Sequence, residues 1–162
     1  MKRLAVIGHP VAHSRSPAMH TAALADLGLS DEWSYEAIDI SEHGFTRLVG
    51  AMPDNGYVGA NITVPHKEAA LKCSHQATDV ASAIGAANTL IFRKDGKIHA
   101  DNTDGSGFVA NLRQHAPNWA PASGPAVVLG AGGGARAVVA ALIEIGAPEI
   151  RICNRTRPRA EA

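Results

Sequence analysis

Five stretches of this chain hold residues whose types and spacing could do chemistry. Ser14-Arg15-Ser16-Pro17 places two hydroxyls at i and i+2 ahead of a predicted helix. On an extended segment they point the same way, and a helix N-terminus favours an anion, so a small carboxylate could bind there. The alternative is that Ser16 is a helix cap and Ser14 a loop residue. Asn61-Ile62-Thr63-Val64-Pro65-His66-Lys67 alternates polar Asn61 and Thr63 with apolar Ile62 and Val64. One face of that strand is polar at its end, where ligands of parallel sheets bind. Lys67 falls in the first turn of the next helix, against the helix dipole, which suggests a specific role over a solvated one. Gly85-Ala86-Ala87-Asn88-Thr89 is a turn in which Asn88 either contacts a ligand or holds its own backbone. In Asp101-Asn102-Thr103-Asp104-Gly105, Asp104 either complements a helix dipole or partners Lys67.

The fifth stretch is Gly130-Ala131-Gly132-Gly133-Gly134-Ala135, which fits G-x-G-x-x-A between a predicted strand and a predicted helix. Gly130 allows the tight turn, Gly132 lets backbone approach a pyrophosphate, and Ala135 keeps helix close to strand. About twenty residues on, an NAD site places an acid on the ribose. Here the second strand ends in Asn154-Arg155-Thr156, with Arg157 and Arg159 behind it and no carboxylate. Cations and hydroxyls suit a 2′-phosphate, so the reading is NADP, against the alternative of a basic surface loop.

The elements that must position these residues follow from periodicity. Strands are predicted over Arg3–Gly8, Trp33–Ile40, Tyr57–Val64, Ala126–Leu129 and Glu149–Cys153. Helices are predicted from Ser16 as cap with Pro17 first and Gly28 as stop, then over His43–Met52, Pro65–Cys73, Thr78–Ile84, Thr103–His115 and Ala135–Ile145. In the first of these, Met19, Ala22, Ala23 and Leu27 recur at helical spacing. Lys94-Asp95-Gly96 joins Asn88–Arg93 and Lys97–Asp101 as a hairpin. His115–Gly124, with Pro117, Pro121 and Gly124, is the linker candidate. Alternating strands and helices predict an α/β fold with mainly parallel sheets.

Composition bounds the function. Of 162 residues, 46% are hydrophobic and 19% charged, which suits a packed core and excludes a disordered chain. Fifteen Lys+Arg balance fifteen Asp+Glu, which argues against a general nucleic-acid binder. Two cysteines make no disulfide scaffold and fit a reducing compartment. Met1-Lys2-Arg3 opens like a signal peptide, but the apolar run Leu4–Ile7 is too short for one, and no stretch approaches a membrane span. The expectation is a soluble cytoplasmic protein. His9, His13, His20 and His66 lack the Cys or carboxylate that would complete a metal site, so no metal is expected.

His13-Ser14-Arg15-Ser16-Pro17, Asn61 to Lys67, Gly85 to Thr89, Asn102 to Gly105, Gly130 to Ala135 and Asn154-Arg155-Thr156 together resemble shikimate dehydrogenase, in the same order along the whole chain. The resemblance implies NADPH-dependent, reversible reduction of 3-dehydroshikimate to shikimate in aromatic amino-acid biosynthesis. It implies a three-layer α/β substrate-binding and catalytic domain with a mainly parallel sheet, residues 1–102. A connecting helix and linker, 103–124, would lead to the first βαβ unit of a Rossmann-type NADP domain, 125–162. By that likeness Ser14 and Ser16 hold the substrate carboxylate, while Asn61, Thr63, Asn88 and Asp104 bind ring hydroxyls. Lys67 and Asp104 form the catalytic pair, with Lys67 also touching substrate. Gly130, Ala131, Gly132, Gly133, Gly134, Ala135, Asn154, Arg155, Thr156 and Arg159 hold NADP. No metal, nucleic acid or membrane is implied, and a homodimer is compatible with the likeness. A nicotinamide pocket and a C-terminal glutamine of the family find no counterpart. Two strands and one helix cannot cover a parallel sheet, so the expectation is a truncated form that does not turn over. Quinate/shikimate dehydrogenase and a non-catalytic shikimate-binding fragment are the alternatives. The paired serines and the arginines favour the shikimate-specific, NADP-using type.

Overall fold

The computed structural model describes residues 1–161. Strands β1 (Lys2–Gly8), β2 (Trp33–Asp39), β3 (Tyr57–Ile62), β4 (Gln76–Ala77), β5 (Thr89–Phe92) and β6 (Ile98–Asp101) form one sheet in the order β2-β1-β3-β5-β6-β4. β2, β1 and β3 run parallel, β5 runs against both β3 and β6, and β4 is parallel to β6. All strands but β5 therefore point one way. The Asp95-Gly96 turn forms as expected, with Lys97 N donating to Asp95 Oδ1 at 3.0 Å.

Alternate residues of β1 face two helical layers, as a pleated strand requires. Ala5 and Ile7 meet Phe45 and Val49 of α2 (Glu42–Ala51) and Ala70 of α3 (Lys67–Lys72). Val6 and Leu4 meet Tyr35 and Leu24, the latter on α1 (Ser16–Asp26). Met19 and Leu27 stay exposed, so Leu24 alone of the apolar residues on this helix packs against the small Val6–Tyr35 cluster. The helix α4 (Asp79–Ile84) is capped by Thr78, whose Oγ1 accepts from Ala81 N at 3.2 Å.

Beyond α5 (Asp104–His115) and a single turn at Pro121–Ser123, β7 (Ala126–Leu129) and β8 (Ile150–Cys153) form a second, parallel sheet of two strands. Helix α6 (Gly133–Glu144) crosses between them and α7 (Arg157–Glu161) follows. A seam of small residues joins the two parts. A Cβ on Gly105 would lie 2.9 Å from Ala137 O and 3.2 Å from Ala141 Cβ, so only glycine lets α5 and α6 approach this closely. Ile84 and Ala86 pack on Ala137 beside it.

The elements differ from the sequence expectation at their ends. β3 stops at Ile62: Thr63 N still donates to Ile7 O of β1, and the chain then leaves the sheet before Pro65. Helix α3 accordingly starts at Lys67, two residues after Pro65. Helix α6 starts at Gly133, not Ala135, so two of the glycines are helical. The two-residue β4 and the short α7 carry too few residues to show a period. No helix among the described residues is long and apolar enough to cross a membrane.

Candidate active site

Strand direction alone brings the polar stretches together. β1, β3 and β6 end at the same edge of the sheet, and antiparallel β5 begins there. The register pairs Asn61 with Thr89 and Thr89 with Asp101. The loops after β1, β3 and β6, and the turn before β5, thus open on one cleft of about 440 Å³. Ser14, Ser16, Asn61, Thr63, Lys67, Asn88 and Asp104 all line it.

Lys67 and Asp104 form its ion pair, Nζ to Oδ2 at 2.5 Å, with side chains 15% and 25% exposed. Partial burial keeps water from screening the pair, and its partners keep it satisfied. Asn88 Nδ2 donates to Asp104 Oδ1 at 2.8 Å and to Thr103 Oγ1 at 3.0 Å. Asn88 Oδ1 accepts from Thr103 N at 3.1 Å and Thr89 Oγ1 at 2.9 Å. Both amide protons are thus engaged, and the first duty of Asn88 is to orient Asp104. Buried Asn102 works from the other side: its Oδ1 accepts from Asp104 N at 3.0 Å and its Nδ2 donates to Ala86 O at 2.8 Å.

The serine segment differs from the sequence expectation. Arg15, in the right-handed helical region, is the cap of α1, and Ser16 is its first residue. No side chain caps the helix; Ser14, one residue ahead of Arg15, accepts at its Oγ from Ser16 N at 3.3 Å. Ser14 N donates to Val11 O, so the segment is a turn and not an extended strand. Both serines reach the cleft because the turn folds them back, not because alternation aims them. Sequence reasoning passes over Tyr35, His20, Asn102 and Thr103 as site residues. Alternation places Tyr35 on a strand face, but nothing in one sequence says that its hydroxyl reaches Asn61 Oδ1 at 2.8 Å.

The glycine turn faces a second opening of about 420 Å³, lined by Gly132, Gly133, Gly134 and Arg159 on one side and by His66, Lys67 and Lys72 on the other. Gly130 has φ +115°, a conformation that needs glycine, and its N–H ties the start of the turn to the end of β8 by donating to Cys153 O at 2.8 Å. No side chain caps α6, so its first amides point outward unpaired. Cβ atoms on Gly132 and Gly134 would meet open space, whereas one on Gly133 would lie 3.1 Å from the Cβ of both Ala86 and Lys67. The open backbone, the free helix terminus and the cations suit a dinucleotide pyrophosphate. A third groove on this unit is lined by Gly130, Ala131, Ala135 and Arg159. Asn154, Arg155 and Thr156 lie outside these openings, and Asn154 Nδ2 turns back to donate to Thr156 O at 2.8 Å.

Comparison with known proteins bears on this geometry. Residues 6–90 match the family model described as the shikimate dehydrogenase substrate binding domain. The chain is 60% identical over 157 residues to the shikimate dehydrogenase (NADP(+)) of Cereibacter sphaeroides, covering 97% of this chain and 56% of the relative. It is 59% identical over 156 residues to the protein of the same name from Paracoccus denitrificans, covering 96% of this chain and 55% of the relative. Shikimate 5-dehydrogenase from Thermus thermophilus, solved in complex with NADP(H) and shikimate, matches with a TM-score of 0.86 and 45% identity, covering 99% of this chain and 59% of that one. The chain thus spans a little over half the length of the curated relatives it matches.

Proposed function

The chain belongs to the family of the shikimate dehydrogenase substrate binding domain, and we propose that its cleft binds shikimate and 3-dehydroshikimate for NADPH-dependent interconversion of the two. The observation that carries this reading is the convergence of Ser14, Ser16, Asn61, Thr63, Lys67, Asn88 and Asp104 on one cleft around a 2.5 Å Lys67–Asp104 pair. Ser14 and Ser16 take the carboxylate at the N-terminal end of α1, where the dipole favours an anion. Asn61 and Thr63 face the ring hydroxyls. Protonated Lys67 stands where negative charge develops on the C3 oxygen and delivers the proton to it from Nζ. Asp104 holds the ammonium in place and accepts from the neighbouring hydroxyl, while Asn88 and Asn102 fix the carboxylate.

Residues 130–135 and Arg159 form the cofactor side, with Asn154, Arg155 and Thr156 next to it, and the basic composition there supports NADP over NAD. NADPH, when bound, supplies the hydride. In this reading residues 1–102 are the substrate-binding and catalytic domain, 103–124 the connecting helix and linker, and 125–162 the start of the dinucleotide-binding domain. The compartment is the cytoplasm, consistent with two free cysteines, and a homodimer is the assembly that light scattering would check.

Calorimetric titration with shikimate and, separately, quinate tests the substrate. Saturable heat with shikimate and none with quinate is expected. Equal binding of quinate would move the reading to the broader-specificity enzymes. No heat with either, from a chain with a cooperative unfolding transition, would overturn it.

A further inference from the structure

Tyr35 sits beneath the cleft floor with a duty that neither fold nor ion pair explains. It is 8% exposed, lies on β2, and packs against Val6 and Val11. Its ring stacks on His20 of α1, with centroids 4.2 Å apart and planes 11° from parallel. That stack leaves the ring one orientation, which carries the hydroxyl to Asn61 Oδ1 at 2.8 Å. The Ser16 hydroxyl acts on the same oxygen and partly offsets the effect of burial on it.

An asparagine amide is nearly symmetric in shape and opposite in chemistry at its two ends. Turned one way, Asn61 offers the cleft two N–H donors; turned the other, it offers a carbonyl acceptor. Tyr35 has one proton to give, and Asn61 Oδ1 takes it. Asn61 Nδ2 has no partner among the described residues, and Asn61 lines the cleft. The two facts are one geometry, because the end of the amide that is held inside decides which end is left outside.

We infer that Tyr35 is a positioning residue that locks the Asn61 amide with its NH2 in the cleft, so that this point of the site recognises a neutral acceptor oxygen, a ring hydroxyl or ketone, and rejects an N–H donor. Burial pushes the Tyr35 hydroxyl up to about 12, so it keeps its proton and remains a donor across the working range. Ser16 keeps its freedom in this arrangement. Its hydroxyl can donate to a bound carboxylate, because Tyr35 gives its own proton to Asn61 and needs none from Ser16.

The inference rests on the shikimate reading for the identity of the ligand, and on Tyr35 and Asn61 alone for the orientation. Tyr35→Phe keeps the ring and the stack and removes only the hydroxyl. The experiment is a cycle of Tyr35→Phe, Asn61→Ala and the double variant, titrated with shikimate, with the Asn61 side-chain amide followed by 1H–15N NMR. Tyr35→Phe alone is expected to weaken shikimate about 3- to 10-fold, the worth of one hydrogen bond. In the Asn61→Ala background it should change affinity less than about 1.5-fold, because a residue acting through Asn61 has nothing left to act through. In the ligand-free Tyr35→Phe protein the Asn61 amide pair should shift or broaden while the backbone amides of β3 hold their positions.

Equal losses in both backgrounds, or an unmoved Asn61 amide, would overturn the inference. If the parent chain binds no shikimate, the functional reading fails, and the amide signals alone decide the orientation. If Tyr35→Phe does not fold, NOEs in the parent chain decide. Contacts from the Asn61 NH2 protons to Thr63 are expected, and contacts to the Tyr35 ring edge would contradict.

Discussion

Ile62, at the end of β3, is 2% exposed; Leu129, at the end of β7, is 79% exposed. Both close a strand that runs into a functional turn and then a helix, so the local grammar is the same and the surroundings are not. β3 lies inside a six-stranded sheet with helices on both faces, whereas β7 has one neighbouring strand and one crossing helix. The difference shows in what each region offers a ligand. The first presents side chains held by their neighbours: Lys67 by Asp104, Asp104 by Asn88 and Asn102, Asn61 by Tyr35. The second presents backbone, the turn at Gly130 and the bare amides of α6, and its closest support is borrowed from the first region at Lys67, Ala86 and Gly105.

The largest effect that could break this contrast is on stability. Phe45→Ala removes a fully buried ring stacked on His66 and is expected to lower unfolding free energy by about 3–5 kcal/mol in urea. Leu129→Ala is expected to stay within about 0.5 kcal/mol. Similar losses at both sites would mean that the two regions share one core. Next, Lys67→Met removes the charge from the cleft while keeping much of its volume. Shikimate affinity should drop about 10- to 100-fold, the range for a charge-assisted hydrogen bond, as read by calorimetry. A loss below about 2-fold would move the site away from Lys67.

Gly105→Val addresses the seam. Its side chain would collide with Ala137 and Ala141, so about 1–3 kcal/mol of overpacking should push α6 from α5. Hydrogen exchange should then quicken through residues 126–161 and remain slow in β1 and β3. Uniform loss of protection would contradict the idea that the second region leans on the first.

The smallest expected effect is with pH. Glu36 is held below the usual carboxylate range by the Tyr57 hydroxyl and by Arg3, and Asp39 by His9 and the Val11 amide. A carboxyl whose folded value is lowered binds fewer protons folded than unfolded, so its contribution is full above the ordinary carboxylate range. It is lost as pH falls through that range toward the lowered value. Both groups are substantially exposed, which keeps the effect small. Denaturation midpoints measured downward from neutral pH should fall, and Glu36→Gln should flatten part of that slope.

Much of this was legible in the sequence, for reasons that differ between residues. Asn61, Thr63 and Lys67 could be placed at a strand end because alternation and Pro65 mark that end within a few residues. The Asp95-Gly96 turn was readable because its own residues make it, and it sets the register that brings Asn88 to Asp104. The glycine turn was readable as a motif, but the start of α6 at Gly133 was not, because glycine has low helix propensity and tertiary contact with Lys67 overrides it. The bond from Ser16 N to Ser14 Oγ, with Ser16 inside the helix, was not legible, because a turn through Val11 replaces the extended segment that alternation suggests. Tyr35 was invisible as a site residue, since a partner 26 positions away along the chain leaves no local pattern.

Under the proposed function, the first region holds a pre-formed shikimate site without help from the second. A shikimate titration of this chain, followed by amide chemical shifts, tests it directly. Saturable movement confined to Ser14, Ser16, Asn61, Lys67 and Asp104, with Gly132 and Arg159 still, is the expected result. A well-dispersed spectrum that does not move at those residues at any shikimate concentration would contradict it.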